Sequence, residues 1–272
     1  MNFFNKRLLK LINSLDWHIG QRESHDILLD SWFRDFRLRS ENPLVKTGNS
    51  FFSQFDEDAI IYNILSRLNI KGSGNFIELG VGDGLQNNTL NLLFQNFSGT
   101  WIGGQNLAFD TGAVFQGRLK FNKAWITIDY LDEHQSIFLE RSTDVFSMDL
   151  DGNDWHFAKF LLERNFRPIV WVQEYNANIP PLSHWRMNYR STHTWKGGMN
   201  WGASLGEYTK LLGQFGYKLV ACNATGVNSF FIRSDFAQYF SDIPTDILWH
   251  FNPYRPWFMK SKQQVDPLIF DY

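Results

Sequence analysis

From Phe51 onward, apolar and polar positions alternate between two periods. Asp56 to Leu68 sets Ile60, Ile61, Ile64 and Leu65 on one stripe behind an acidic first turn, which predicts a helix. Short apolar runs bounded by turn residues predict strands at Asn75 to Leu79, Thr100 to Gly103, Ala124 to Ile128, Asp144 to Met148 and Ile169 to Val172. Helices are expected between them at Thr89 to Phe97, Asp132 to Arg141 and Asp154 to Glu163, and a further one at Leu205 to Phe215. Strands alternating with helices imply a parallel sheet covered on both faces, an α/β fold. Tyr217 to Ala221 and Val227 to Ile232, joined by Cys222 to Gly226, read as a terminal antiparallel hairpin at the sheet edge.

The pattern before Phe51 is different. Met1 to Leu15 places Phe3, Phe4, Leu8, Leu11, Ile12 and Leu15 at helical spacing with Lys6, Arg7 and Lys10 between them. Such a helix has two readings: peripheral contact with a membrane surface, or packing on its own domain or a neighbouring subunit in an oligomer. Ser24 to Ser40 repeats the theme, Glu41-Asn42-Pro43 breaks it, and Thr47 to Ser50 reads as a linker. The expected division is a helical N-terminal extension at 1–49 and an α/β domain at 50–272.

Composition narrows the classes. The chain has 272 residues, 43% of them hydrophobic, ample for one large core. A net charge of −2 gives no reason to expect a nucleic-acid partner. A single cysteine, Cys222, excludes an internal disulfide and a Cys-rich zinc site. No apolar run approaches the roughly 18 residues of a membrane span, so a cytoplasmic protein is expected, with a membrane-peripheral one as the second reading. The serine-hydrolase G-x-S-x-G, the P-loop and the H-E-x-x-H zinc motif are all absent.

The richest stretch is Phe76 to Gly84, F-I-E-L-G-V-G-D-G. A buried strand runs into a turn with glycine at every second position, followed by the capping residues Asn87, Asn88 and Thr89. A dinucleotide fingerprint wants G-x-G-x-x-G and a diphosphate at a helix N-terminus. Here the spacing is G-x-G-x-G, with Glu78 before it and Asp83 inside it. Carboxylates disfavour a diphosphate and suit a cofactor with a cationic centre and an amino acid portion, such as S-adenosylmethionine. Glu78, Gly80, Gly82, Asp83, Gly84 and Asn88 are the expected cofactor-facing residues. A tight strand-to-helix turn with no ligand is the plain alternative.

The second constellation is Asp149-Leu150-Asp151-Gly152-Asn153-Asp154, at the end of the fourth predicted strand, with Glu174 and Asn176 at the end of the fifth. Alternate strand residues share a face, so Asp149 and Asp151 project together. Three readings stand. A carboxylate, or His156 on the following helix, takes a proton as general base. Asp149, Asp151 and Glu174 hold a hard cation such as Mg²⁺. Or the acids are structural, Asp154 capping its helix. A calcium loop of EF-hand type is excluded, because its twelfth position is Phe160. The long stretch from Tyr175 to Trp201 carries His184, Arg186, Tyr189 and His193 among other polar and aromatic residues. It reads as a substrate-binding lid or as a scaffold that seals the domain.

Three blocks carry a family resemblance: Ser53-Gln54-Phe55-Asp56-Glu57-Asp58, Phe76 to Thr89, and Asp149 to Asp154 with Glu174-Tyr175-Asn176. Gly202 to Leu205 and Gly226 to Phe231 fit the same group. Over about residues 51–235 the chain resembles bacterial proteins related to the FkbM-type methyltransferases. The resemblance implies a Rossmann-like class I methyltransferase sheet of seven strands, mostly parallel, with an antiparallel last strand. It also implies S-adenosylmethionine-dependent O-methylation of a sugar or glycan precursor. Where methyltransferases of this fold usually carry an acidic residue for the ribose hydroxyls, this chain has Gln105; after strand three, Asp129 would accept from the adenine amino group. The alternatives are a chain that kept the fold and lost the cofactor, and a Mg²⁺-dependent sugar methyltransferase.

Overall fold

The computed structural model describes residues 31, 33–46, 50–242 and 248. The chain divides into two compact units, Met1–Glu41 and Asn42–Tyr272. In the first, residues 33–39 are helical; the helix expected at Met1 to Leu15, with its membrane and oligomer readings, lies outside the described residues. Among the described residues no helix is long and apolar enough to cross a membrane. Asn42 belongs to the second unit: its side-chain amide donates to Val220 O at 2.8 Å, and Leu44 and Val45 of α1 (Pro43–Lys46) are buried.

The second unit is a seven-stranded sheet with helices between its strands. The strands are β1 (Asn75–Leu79), β2 (Ser98–Gly103), β3 (Leu119–Lys123), β4 (Val145–Met148), β5 (Val170–Glu174), β6 (Tyr217–Cys222) and β7 (Asn228–Arg233). Their order is β3-β2-β1-β4-β5-β7-β6. Pairs among β1 to β5 are parallel, and β7 runs antiparallel to both β5 and β6. This is the α/β arrangement that the resemblance implied. The terminal hairpin forms as expected, but its second strand inserts between β5 and β6, so β6 is the edge. Strands covered on both faces should be apolar throughout, and β4 and β5 are buried at every position.

The helices are α2 (Glu57–Arg67), α3 (Leu90–Phe94), α4 (Thr111–Phe115), α5 (Ile128–Glu133), α6 (Gln135–Leu139), α7 (Asp154–Glu163) and α8 (Leu205–Gln214). The third strand is the main departure from the sequence reading. It lies at Leu119–Lys123, not at Ala124 to Ile128. As a sheet edge it pairs only with β2, so its alternating polar residues cost little. The apolar run that follows it is the connection to α5. The chain reversals at the carboxyl ends of β1, β2, β3 and β4 lie together, because these strands are adjacent and parallel. Open α/β sheets bind ligands at that end.

Candidate functional site

The glycine turn is held by Glu78. Its carboxylate, buried within β1, accepts the backbone N–H of Asn88 at 3.0 Å and of Thr89 at 3.1 Å, and the Thr89 hydroxyl as well. Burial raises its pKa, and these donors oppose the shift. Trp101 Nε1 donates to Thr89 Oγ1 at 2.9 Å, and Asn88 Nδ2 to Ser147 Oγ at 3.0 Å, so the turn is fastened to β2 and β4.

The three glycines have different duties. All have positive φ. A Cβ on Gly80 would lie 1.7 Å from the backbone oxygen of Asp149, and one on Gly84 would crowd Leu107, Trp101 and Phe109. These two make room for the chain itself. A Cβ on Gly82 would meet nothing within 4 Å, and Gly82 lines a cavity of about 540 Å³. Of the three, Gly82 is where a ligand would lie on the backbone.

That cavity is shared by both predicted constellations. Glu78, Gly80, Gly82, Asp83, Asn88 and Gln105 line it, and so do Asp149, Asp151 and His193. Sequence reasoning missed three of its walls. Gln54 is brought in by the loop before α2, whose backbone N–H groups at Phe51, Phe52 and Ser53 all donate to Asp58. Trp125 enters from the connection after β3, and Asn153 from the acid-rich loop. The quoted S-Q-F-D-E-D and D-L-D-G-N-D blocks already contained Gln54 and Asn153.

Asp129 is not brought in. It is exposed in the first turn of α5, and Ala124, Trp125 and Ile126 occupy the wall where it was expected. The cause is the displaced third strand.

The acid-rich segment splits into two parts. Asp154, fully buried, accepts Leu150 N–H and Gly152 N–H at 2.9 Å each, and is pushed up to about 6 by its burial. It folds the loop and does not line the cavity. Asp151 has a left-handed backbone, φ 52°, and its N–H donates to Glu174 at 3.0 Å. The Glu174 carboxyl also shares hydrogen bonds with the side chains of Asp149 and Asp151. Ligand oxygens of Asp149, Asp151 and Glu174 all fall within 4.8 Å of one another. Burial, then the neighbouring carboxylates, hold Asp149 and Glu174 well above the usual range. Asp151 is raised less strongly, by burial, against hydrogen bonding from Glu174 and the charge of His193. The Tyr208 hydroxyl, fully buried, has no hydrogen-bond partner among the described residues; burial and the charges of Asp154, Glu174 and Asp149 raise it strongly.

Several predicted functional residues are instead fasteners. His156 Nε2 pairs with Met187 O at 2.8 Å, and burial lowers its pKa. Asn176, fully buried, donates to Met199 O and Trp201 O at 2.8 and 3.0 Å, and its oxygen accepts Asn178 N–H. Arg186 lies over the Trp155 ring at 4.2 Å and pairs with Glu207 at 2.6 Å; His184 stands 3.5 Å from the same carboxylate. The Tyr189 hydroxyl accepts Ile128 N–H at 3.3 Å. None of these lines the cavity. Of the long stretch, His193 alone reaches it.

No family model matches the chain, and no curated protein does. Among solved structures it is similar to a 1,6-didemethyltoxoflavin-N1-methyltransferase from Burkholderia thailandensis with bound 1,6-didemethyltoxoflavin and S-adenosylhomocysteine. That match has 10% identity, 80% of this chain, 90% of that one and a TM-score of 0.45. It is also similar to an O-methyltransferase from Bacillus cereus in complex with S-adenosylhomocysteine, at 12% identity, 74% and 89% coverage and a TM-score of 0.43. A TehB-like S-adenosylmethionine-dependent methyltransferase from Corynebacterium glutamicum matches at 12%, 78% and 99%, with a TM-score of 0.38. Likenesses this distant decide nothing about chemistry, which must come from the chain's own residues.

Proposed function

We propose that this chain is an S-adenosylmethionine-dependent O-methyltransferase of FkbM-like type, acting on a hydroxyl of a sugar or glycan precursor. The observation that carries the reading is the shared cavity: Gly82 and the Asp149–Asp151 pair open into one space of about 540 Å³. That volume suits a small-molecule site. Among the described residues its lining holds Glu78, Asp83, Asp149 and Asp151 and no lysine or arginine, an acidic lining that suits a cationic ligand. Two features fit S-adenosylmethionine. Gly82 leaves the backbone bare, and Asn87, 3% exposed and lining the cavity, has a side-chain oxygen with no donor among the described residues. An ammonium group would supply that donor. Gln105 lines the same cavity and is the residue we assign to the ribose hydroxyls; its neutral amide makes weaker bonds than a carboxylate.

When bound, the cofactor supplies an electrophilic methyl group on a cationic sulfur. The protein's part is to align the acceptor oxygen and remove its proton. Burial and the neighbouring carboxylates hold Asp149 and Glu174 well above the usual carboxylate range, which favours a proton shared between them. Asp151, less strongly raised, is the acid of the three that ionises most readily, and it lines the cavity. We assign it the acceptor hydroxyl, which Asp151 Oδ would orient and whose proton it would take up. Calorimetry with S-adenosylmethionine and S-adenosylhomocysteine tests the reading. Folded protein that gives heat with neither removes it, and leaves a fold that has abandoned the cofactor.

A second reading draws on the 4.8 Å cluster of Asp149, Asp151 and Glu174. Carboxylates this close and this buried are costly unless protons or a cation compensate. A Mg²⁺ ion there would acidify a coordinated sugar hydroxyl. Methyl transfer that is unchanged by chelator and by added Mg²⁺ would dismiss it.

A further inference from the structure

A second cavity, of about 430 Å³, opens at the amino ends of β1, β2 and β3, the opposite end of the sheet from the glycine turn. Its floor is one face of these strands. Alternate strand residues share a face, and the register sets Asn75 beside Ser98, Ile77 beside Thr100, and Thr100 beside Lys120. All of them line the cavity. Further along the same face the strands turn apolar: Leu79 and Ile102 join the core with Leu131 of α5 and Phe138 of α6. Those helices are only six and five residues long, and they leave the amino ends of the strands open. A covered sheet face should be apolar; here it carries serine, threonine and lysine.

The charge in this space has one sign in excess. Arg118, Lys120 and Arg141 line it against a single acid, Glu140. Lys120 and Arg141 have neither an ion pair nor a side-chain hydrogen bond among the described residues. Arg118 donates from Nη1 to Leu93 O and to Phe97 O, two carbonyls, so no carboxylate offsets its charge and its position is fixed. Hydroxyls stand beside these cations. Thr143, from the connection between α6 and β4, is 7% exposed and lines the cavity, yet its hydroxyl has no partner among the described residues. The Ser98 and Thr100 hydroxyls on the floor also have none.

We propose that this cavity is a second ligand site, which takes a phosphoryl group of a small hydrophilic molecule between Lys120, Arg141 and the Thr143 hydroxyl. It stands apart from the methyltransferase reading, because none of its residues lines the first cavity. Guanidinium, ammonium and hydroxyl donors around one space are the chemistry that holds phosphoryl oxygens. The volume is that of a small-molecule site. A floor of hydroxyls and amides suits a hydrophilic ligand rather than an acyl chain. The shared chemistry is the oxyanion, which a soluble phosphate ester and a phospholipid headgroup both supply.

Calorimetric titration of the full chain with inorganic phosphate and with pyrophosphate tests the site. Saturable binding of at least one is expected, and K120Q/R141Q weakens it by about tenfold for each charge-assisted bond lost. Both side chains are exposed, so the melting temperature of the variant is expected to match the parent; if it falls, K120Q alone gives the comparison. Parental S-adenosylhomocysteine affinity in the variant is expected, since the two cavities share no residue. Absence of saturable binding of either anion, or parental anion affinity in the variant, overturns the proposal. Sedimentation with phosphatidylglycerol vesicles is the other arm: vesicle binding that the variant loses, without binding of either free anion, overturns it in favour of a lipid headgroup.

Discussion

Two alanine substitutions separate what the glycine turn does for the fold from what it does for a ligand. In Gly80→Ala the new Cβ lies 1.7 Å from the backbone oxygen of Asp149, about half an ordinary contact distance, so the ends of β1 and β4 must part. Asp149 N–H donates to Leu79 O at 3.1 Å, and that bond is strained with them. Overpacking of this kind costs about 1–3 kcal/mol. An alanine forced to φ 92° costs about 1–2 more, and a weakened hydrogen bond about 1. The expected loss is near 4 kcal/mol, or about 10 °C in melting temperature for a unit of this size. In Gly82→Ala the Cβ meets nothing within 4 Å, so only the left-handed backbone is charged, at about 1 kcal/mol. That variant folds, but its methyl group stands in the cavity. Urea midpoints and thermal melts read the first effect, and calorimetry with S-adenosylhomocysteine reads the second. The expected pattern is a large stability loss for G80A, and a small one for G82A with at least about a tenfold loss of affinity, the equivalent of one buried contact. Parental affinity in G82A would refute the placement of the ligand on the turn. Parental stability in G80A would refute the close approach of the two strand ends.

Glu57 gives a pH dependence: burial, then Asp56, push it up to about 7 from 4.5. An acid whose pKa is raised by folding binds its proton more tightly when folded, so its contribution is full below about pH 4.5 and fades as pH rises through about 7. The shift corresponds to an upper bound of about 3 kcal/mol, and E57Q should flatten the fall in urea midpoint between pH 5 and 8; an unchanged slope would show that other groups carry it. Asn176→Ala removes bonds to Met199 O and Trp201 O, and is expected to cost about 2–3 kcal/mol and to speed proteolysis after residue 185. A change in acceptor KM with parental stability would instead make Asn176 a substrate contact. Asp151→Asn should lower methyl transfer by about 10²-fold or more with S-adenosylhomocysteine affinity kept; equal activity would move the proton acceptor elsewhere.

Most of the sheet could be read from the chain because its strands are interior. Asn75–Leu79 agrees with the expected strand to the residue, and Val145–Met148 to within one, since a strand covered on both faces is an unbroken apolar run. The rule failed where that condition fails. Leu119–Lys123 is an edge, and its lysines and asparagine hid it behind the more apolar Ala124 to Ile128. The α4 segment, Thr111–Phe115, was not foreseen; it is one turn long, with Phe115 its one buried residue. At the site, spacing correctly joined Gly82 with Asp149 and Asp151, because adjacent parallel strands deliver their ends to one rim. Spacing could not say which polar side chains would spend their atoms on the backbone, Asp154 accepting from it and Asn176 donating to it. Asp154 and Asn176 sit in the same motifs as the cavity-lining residues, and only the path of the loop shows that they hold it together.

The fate of the long polar and aromatic stretch follows from the same bonds. A lid must be able to leave, and its backbone should be tied at few points. Here the stretch is tied to α7 through His156 and Met187, to the acid loop through Asn153 and Arg190, and to the β3–α5 connection through Trp125 and Ser191. Asn176 ties its far end to β5 through Trp201, and Arg186 pairs with Ala203 in an isolated bridge. With attachments on several walls the stretch is a fixed side of the site rather than a cover.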